Sequence, residues 1–73
     1  MTDLQFNIYR LRKQRNIKQN DLAVALKLNR RTYITKETGA GEFKESEIIK
    51  LKNYFNVSYD DLFLPQNVIK NED

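Results

Sequence analysis

The sequence predicts an all-α domain of five short helices, and three observations predict it. Apolar residues recur at spacings of three and four, as in Leu4, Ile8 and Leu11 and again in Ile48, Leu51 and Phe55, which puts each set on one face of a helix. No stretch alternates apolar with polar residues as a half-buried strand must. Asn16, Gly39 and Asn56, which tolerate left-handed backbone, stand where periodic runs stop.

The first helix is expected over residues 3 to 15, with Leu4, Ile8 and Leu11 facing inward and Arg10, Arg12, Lys13 and Arg15 filling much of the remainder. Thr2 or Asp3 can cap it, because a short side-chain oxygen accepts from an otherwise orphaned amide. Asn16 is placed to end it. A second helix follows over about residues 19 to 26 and a third over 30 to 38. Ile17, Leu22, Ala23, Leu26, Leu28 and Tyr33 keep helical spacing within each half and lose phase only around Lys27 to Asn29. A turn must redirect the chain there, with Lys27 in its left-handed position, and two short helices joined in this way read as a helix-turn-helix.

Asn29 is a strong N-cap for the third helix and Gly39 its stop. The segment 39–44 holds both glycines and reads as the longest loop. A fourth helix is expected over 45–55, where Ile49 and Tyr54 widen the stripe and Asn56 is the terminator. Ser58-Tyr-Asp-Asp then suggests a fifth helix to about Phe63, with the Ser58 hydroxyl accepting an amide and Asp61 near the positive helix end. Pro65 cannot continue it. The domain is thus expected over residues 1–64, with 65–73 a short polar tail in which only Val68 and Ile69 could pack.

A chain of 73 residues makes one small core, and such a core is marginal unless the protein pairs with itself. Cysteine and histidine are both absent, which removes disulfides, thiol nucleophiles, imidazole acid/base chemistry and nearly every structural zinc site. No apolar run reaches membrane-spanning length, and the first residues lack the pattern of a signal peptide. The expected setting is cytoplasmic, and no cofactor or metal is expected.

Net charge is +3, but it is divided unevenly. Residues 1–38 carry nine basic against three acidic side chains, net +6, and residues 39–73 carry four against seven, net −3. The basic surplus coincides with the helix pair, as a polyanion-facing side would require. Arg30 and Arg31 open the third helix, where a cation is mildly unfavourable beside the positive end of the helix dipole. That small penalty points to a use outside the fold. Lys13, Arg15 and Lys18 become phosphate-contact candidates as a set near the same groove. Asp60 and Asp61 are not an active-site pair, since adjacent helical positions do not face each other; capping suits them better. Tyr33, Phe43, Tyr54, Phe55 and Phe63 fall mostly on core stripes, which argues against a stacking platform for single strands.

Three pieces with a joint spacing, Leu11-Arg12-Lys13 before Ile17, Gln19-x-x-Leu22-Ala23, and Tyr54-Phe55-Asn56-Val57-Ser58-x-Asp60-x-Leu62-Phe63, carry a family likeness. From Ile8 to Phe63 the chain resembles the phage repressor/Cro and xenobiotic-response-element-like family of five-helix, lambda-repressor-like DNA-binding domains. The resemblance implies that Arg30, Arg31 and Thr35 face the bases, with Ile34 beside them on the exposed side and Tyr33 as the main core residue of the third helix. An arginine can donate twice to guanine, and a threonine offers a hydroxyl or a methyl. Phosphate contacts are expected from Lys13, Lys18, Gln19, Asn29, Thr32 and Thr38, with Gln19 also bracing the first residues of the third helix. Arg12 and Glu37 correspond by the same likeness to a structural ion pair between the first and third helices. The chain departs from the family pattern at Lys18, where Ser or Thr usually caps, at Lys27, where glycine is common, and at Lys36, where an aromatic or apolar residue is more frequent.

The expectation is therefore a prokaryotic or phage-encoded regulator that binds double-stranded DNA as a homodimer on a pseudo-palindromic site, represses transcription, and is not an enzyme. An antitoxin-type autorepressor that also binds a protein toxin would have to use the tail from Leu64 to Asp73. An interaction module that kept the scaffold and lost DNA binding would leave the basic face of residues 10 to 36 without a use.

Overall fold

Thr2 starts the first helix as its chemistry suggests. The computed structural model describes residues 1–65, in which α1 spans Asp3–Gln14, α2 Gln19–Ala25, α3 Arg30–Thr38 and α4 Glu45–Phe55. Thr2 and Gln5 form a reciprocal capping box: Oγ1 of Thr2 accepts from the Gln5 amide at 3.2 Å, and Oε1 of Gln5 accepts from the Thr2 amide at 2.8 Å. Asn29 Oδ1 accepts from the Thr32 amide at 2.7 Å. Helices α2 and α4 follow Lys18 and Lys44, which have no side-chain oxygen to offer. There Asp21 and Glu47 accept from the Lys18 and Lys44 amides at 3.2 and 2.8 Å, half of the same device.

All four helices end in left-handed backbone, with φ of 56° at Asn16, 59° at Lys27, 102° at Gly39 and 58° at Asn56. After α1, α2 and α4 the next amide reaches back to close the end, Ile17 to the Arg12 carbonyl, Leu28 to Ala23 and Val57 to Lys52. These bonds satisfy carbonyls that a helix end leaves orphaned. Lys27 holds its conformation without glycine's freedom.

The expected fifth helix is a correction: the segment forms only a 3₁₀ turn over Asp60–Phe63, so the described residues hold four α-helices and no strand. Pro65 is the cause. It disfavours helical backbone at the residue before it, and Leu64 is accordingly extended, with φ −62° and ψ 134°. Four residues are left, enough for the bonds Leu62 to Tyr59 and Leu64 to Asp61 but too few for an α-helix. Ser58 Oγ does accept from the Asp61 amide, at 3.1 Å. Val68 and Ile69 lie outside the described residues.

The core gathers around Ile8, Leu22, Tyr33, Leu51, Phe55 and Leu62, each almost wholly buried. Phe43 brings the loop after α3 onto Tyr33, their rings tilted at 5.9 Å between centroids. Ile49, Tyr54 and Phe63, assigned to core stripes by their spacing, are exposed; α4 and the 3₁₀ turn each turn only a narrow face inward. Polar side chains of α1 stitch the rest together. Gln5 Nε2 donates to the Lys36 and Gly41 carbonyls at 2.8 and 2.7 Å, and Asn7 Nδ2 to those of Leu62 and Leu64, both at 2.9 Å.

Candidate nucleic-acid interface

Helix α3 has two faces with different work. Tyr33 and Glu37, four residues apart and therefore one above the other, are buried, whereas Arg30, Arg31, Thr35 and Thr38 are exposed. Ile34 is half-buried, a correction to its expected place on the open side: it lies between the two faces. Among the described residues the guanidinium groups of Arg30 and Arg31 have no hydrogen bond or ion pair. Thr35 and Thr38 donate their hydroxyl hydrogens to the carbonyls of Arg31 and Ile34, at 2.6 and 2.8 Å. They present acceptor oxygens and methyl groups outward, and donation to a phosphate would require those bonds to open. Asn29 uses Oδ1 for the cap and keeps its amide nitrogen as a donor, while Thr32 is half-buried beside it.

The buried face is held by one carboxylate with four donors. Glu37 accepts from Arg12 Nε at 2.8 Å and Nη2 at 3.1 Å, from Tyr33 Oη at 2.6 Å and from Gln19 Nε2 at 3.0 Å. Burial would raise its pKa, but the hydrogen bonds from Arg12, Tyr33 and Gln19 together outweigh burial and hold it below the usual carboxylate value. For Arg12 burial opposes the charge and Glu37 restores it, with a net rise. Tyr33 is pushed well above the usual phenol range, first by burial and then by the neighbouring carboxylate. The ion pair implied by resemblance is therefore present and buried, although its spacing pattern had put Arg12 among the polar remainder of α1. Gln19 does not brace the start of α3. It bonds the last turn instead, because the Thr32 amide is already capped and the buried carboxylate of Glu37 still has an open lone pair.

The remaining cations separate into paired and open. Lys36 Nζ meets both Glu47 oxygens at 2.7 and 3.0 Å, so this departure from the family pattern is held by an ion pair. Burial would raise the Glu47 pKa, yet Lys36 and the Lys44 amide bring it below the usual value. Arg15 Nη1 donates to the Phe55 carbonyl at 2.6 Å and its guanidinium lies over the Phe55 ring, so it closes the end of α4 rather than standing free for a phosphate. Lys13 and Lys18 remain exposed, and Gln19 half-buried.

Sequence reasoning missed the structural roles of Gln5, Asn7 and Glu47, all buried. A weak signal existed for two of them: Gln5 and Asn7 flank the Leu4, Ile8, Leu11 stripe on either side, and a polar residue that a core-facing stripe draws inward must find partners.

Two short helices joined by a left-handed turn, the second with open cations on its outer face, define a helix-turn-helix domain. A family profile described as helix-turn-helix matches residues 8–62, most of the chain, and the chain belongs to this family, of the Xre, Cro and CI type. Among solved structures it is similar to a transcriptional regulator from Listeria innocua, at 28% identity and a TM-score of 0.78. The match covers 93% of this chain and 64% of that one, so this chain spans just under two thirds of that regulator's length. No curated protein matches the sequence.

Proposed function

We propose that the protein is a sequence-specific, double-stranded-DNA-binding transcriptional regulator, acting as a repressor and as a homodimer on a pseudo-palindromic operator. The observation that carries this reading is the outer face of α3. Arg30 and Arg31 stay exposed and unpartnered among the described residues, whereas Arg12 and Lys36 nearby in the chain are held by carboxylates. Arg30, Arg31 and Thr35, flanked by Ile34, would meet base edges in the major groove. Lys13, Lys18, Gln19, Asn29, Thr32 and Thr38 would fix the register on the phosphates. Occupying a promoter needs no catalytic group. No described helix is long and apolar enough to cross a membrane, and the match to a transcriptional regulator supports the same function.

Selection of bound sequences from random duplex DNA tests it, with an enriched palindrome expected. On that site Arg30→Ala or Arg31→Ala should lose roughly 1–3 kcal/mol and relax preference at one or two base pairs. Lys18→Ala should weaken all duplexes alike and flatten the salt dependence by about one unit for each phosphate it no longer neutralises. No enrichment at all would favour a protein-interaction module on the same scaffold.

A further inference from the structure

We propose that Glu37 is a positioning residue for Gln19 in DNA binding, a role beyond its ion pair with Arg12. The inference rests on the DNA-binding reading above and assigns Gln19 an orientation set from the core.

Carboxylate oxygens only accept, so the Gln19 amide must present nitrogen to Glu37 Oε1 and turn its oxygen away. This settles which end of the amide faces the carboxylate. One Nε2 hydrogen is engaged there, and the second has no acceptor among the described residues. Gln19 is half-buried, so that second hydrogen is still within reach of a ligand at the start of α2. Glu37 cannot swing to release it. The Arg12 fork holds both carboxylate oxygens, at 2.8 and 3.1 Å, and Tyr33 Oη holds Oε2 at 2.6 Å. Orientation therefore passes from α1 and α3 through one carboxylate to a side chain of α2. A long polar side chain ordinarily loses rotamer freedom when it contacts a ligand. Gln19 has already lost most of it on folding, so its phosphate contact is preorganised.

A double-mutant cycle on affinity for a random-sequence duplex tests the idea, at a temperature where circular dichroism shows every variant folded. Glu37→Gln should weaken binding by about two- to tenfold when Gln19 is present, the range expected for freeing one side chain. In a Gln19→Leu background it should have no further effect. Equal weakening in both backgrounds would mean that Glu37 acts through the fold alone and would overturn the proposal. Because Glu37→Gln leaves Arg12 without its counter-charge and can fail to fold, the unmodified protein provides a second measurement. In its nitrogen-15 NMR spectrum the two Gln19 side-chain amide hydrogens should be resolved, one shifted by Glu37 and unmoved by duplex DNA, the other moving on titration. If α3 backbone amides respond to DNA while both Gln19 hydrogens move together or neither moves, the positioning role is wrong. Should the α3 amides ignore duplex DNA altogether, the DNA-binding reading fails, and this inference with it.

Discussion

Lys27 occupies a conformation that favours glycine, at φ 59°, yet it closes α2 with both backbone bonds of that motif in place, Lys27 to Val24 and Leu28 to Ala23. Lys27→Gly should therefore stabilise the fold by up to about 1 kcal/mol, less the added freedom of the unfolded chain. Urea melts would show it, and a clear loss of stability would contradict the strain. At Arg12 and Glu37 the side chains are only 10% and 1% exposed, which decides between two scales of cost. Glu37→Ala should lose about 3–5 kcal/mol, because it strands a buried guanidinium, where an exposed pair would lose less than about 1 kcal/mol. Unchanged melting of both Glu37→Ala and Arg12→Ala would remove the pair as a source of stability. That pair could be anticipated from family likeness, but the Tyr33 and Gln19 bonds to the same carboxylate could not. Spacing assigns a residue to a face; it does not say which atom of a neighbouring helix will come within hydrogen-bonding distance.

Between elements, two acidic groups link α3 to its neighbours: Glu37 toward α1 and α2, and Glu47 across to Lys36. Both have folded pKa values below the ordinary 4.5. Groups shifted in that direction contribute stability that is fully present above the unfolded value and lost as pH falls through the folded one. The urea midpoint should thus hold from neutrality to about pH 5 and drop as pH falls below about 4.5, more shallowly in Lys36→Met, where the Glu47 shift loses its largest cationic partner. A midpoint independent of pH down to about 3 would refute the linkage. The helices themselves were legible because their ends carry residues with specific backbone chemistry, namely Thr2, Asn16, Asn29, Gly39 and Asn56. Failure came at the 3₁₀ turn, where the capping signal of Ser58 was real but Pro65 left no room to propagate a helix. It came again at Ile49 and Tyr54, whose positions widen a helical stripe by spacing alone while α4 turns only Ile48, Leu51 and Phe55 inward among its apolar residues.

At the scale of the whole molecule, the proposed homodimer draws on the distribution of charge and apolar surface. Phe63 and Leu64 are 40% and 52% exposed near the end of the described chain, and on the DNA-binding reading proposed above a single α3 would meet too few bases for useful selectivity. Two protomers should bind each operator, with their α3 helices about 34 Å apart, one duplex turn. Sedimentation that finds one protein per site at saturation would contradict this. The basic first half was visible in the sequence, but pairing within the fold changes its meaning. Arg12, Arg15 and Lys36 are engaged by Glu37, by the Phe55 carbonyl and by Glu47. The open positive surface is narrower than the basic count suggests, and Arg30, Arg31, Lys13 and Lys18 belong to it.

The two-sidedness of α3 bears on how such a protein can diversify. Among the described residues the side-chain hydrogen bonds that join the helix to its neighbours run through Glu37, Lys36 and the Lys36 carbonyl, with buried Tyr33 against Phe43, while positions 30, 31 and 35 form no side-chain bond outside the helix. Exposed positions of this kind usually tolerate substitution within about 0.5 kcal/mol. Lineages could therefore rewrite positions 30, 31 and 35 one residue at a time without a stabilising mutation elsewhere, and a library randomised at those three sites should return mostly folded members.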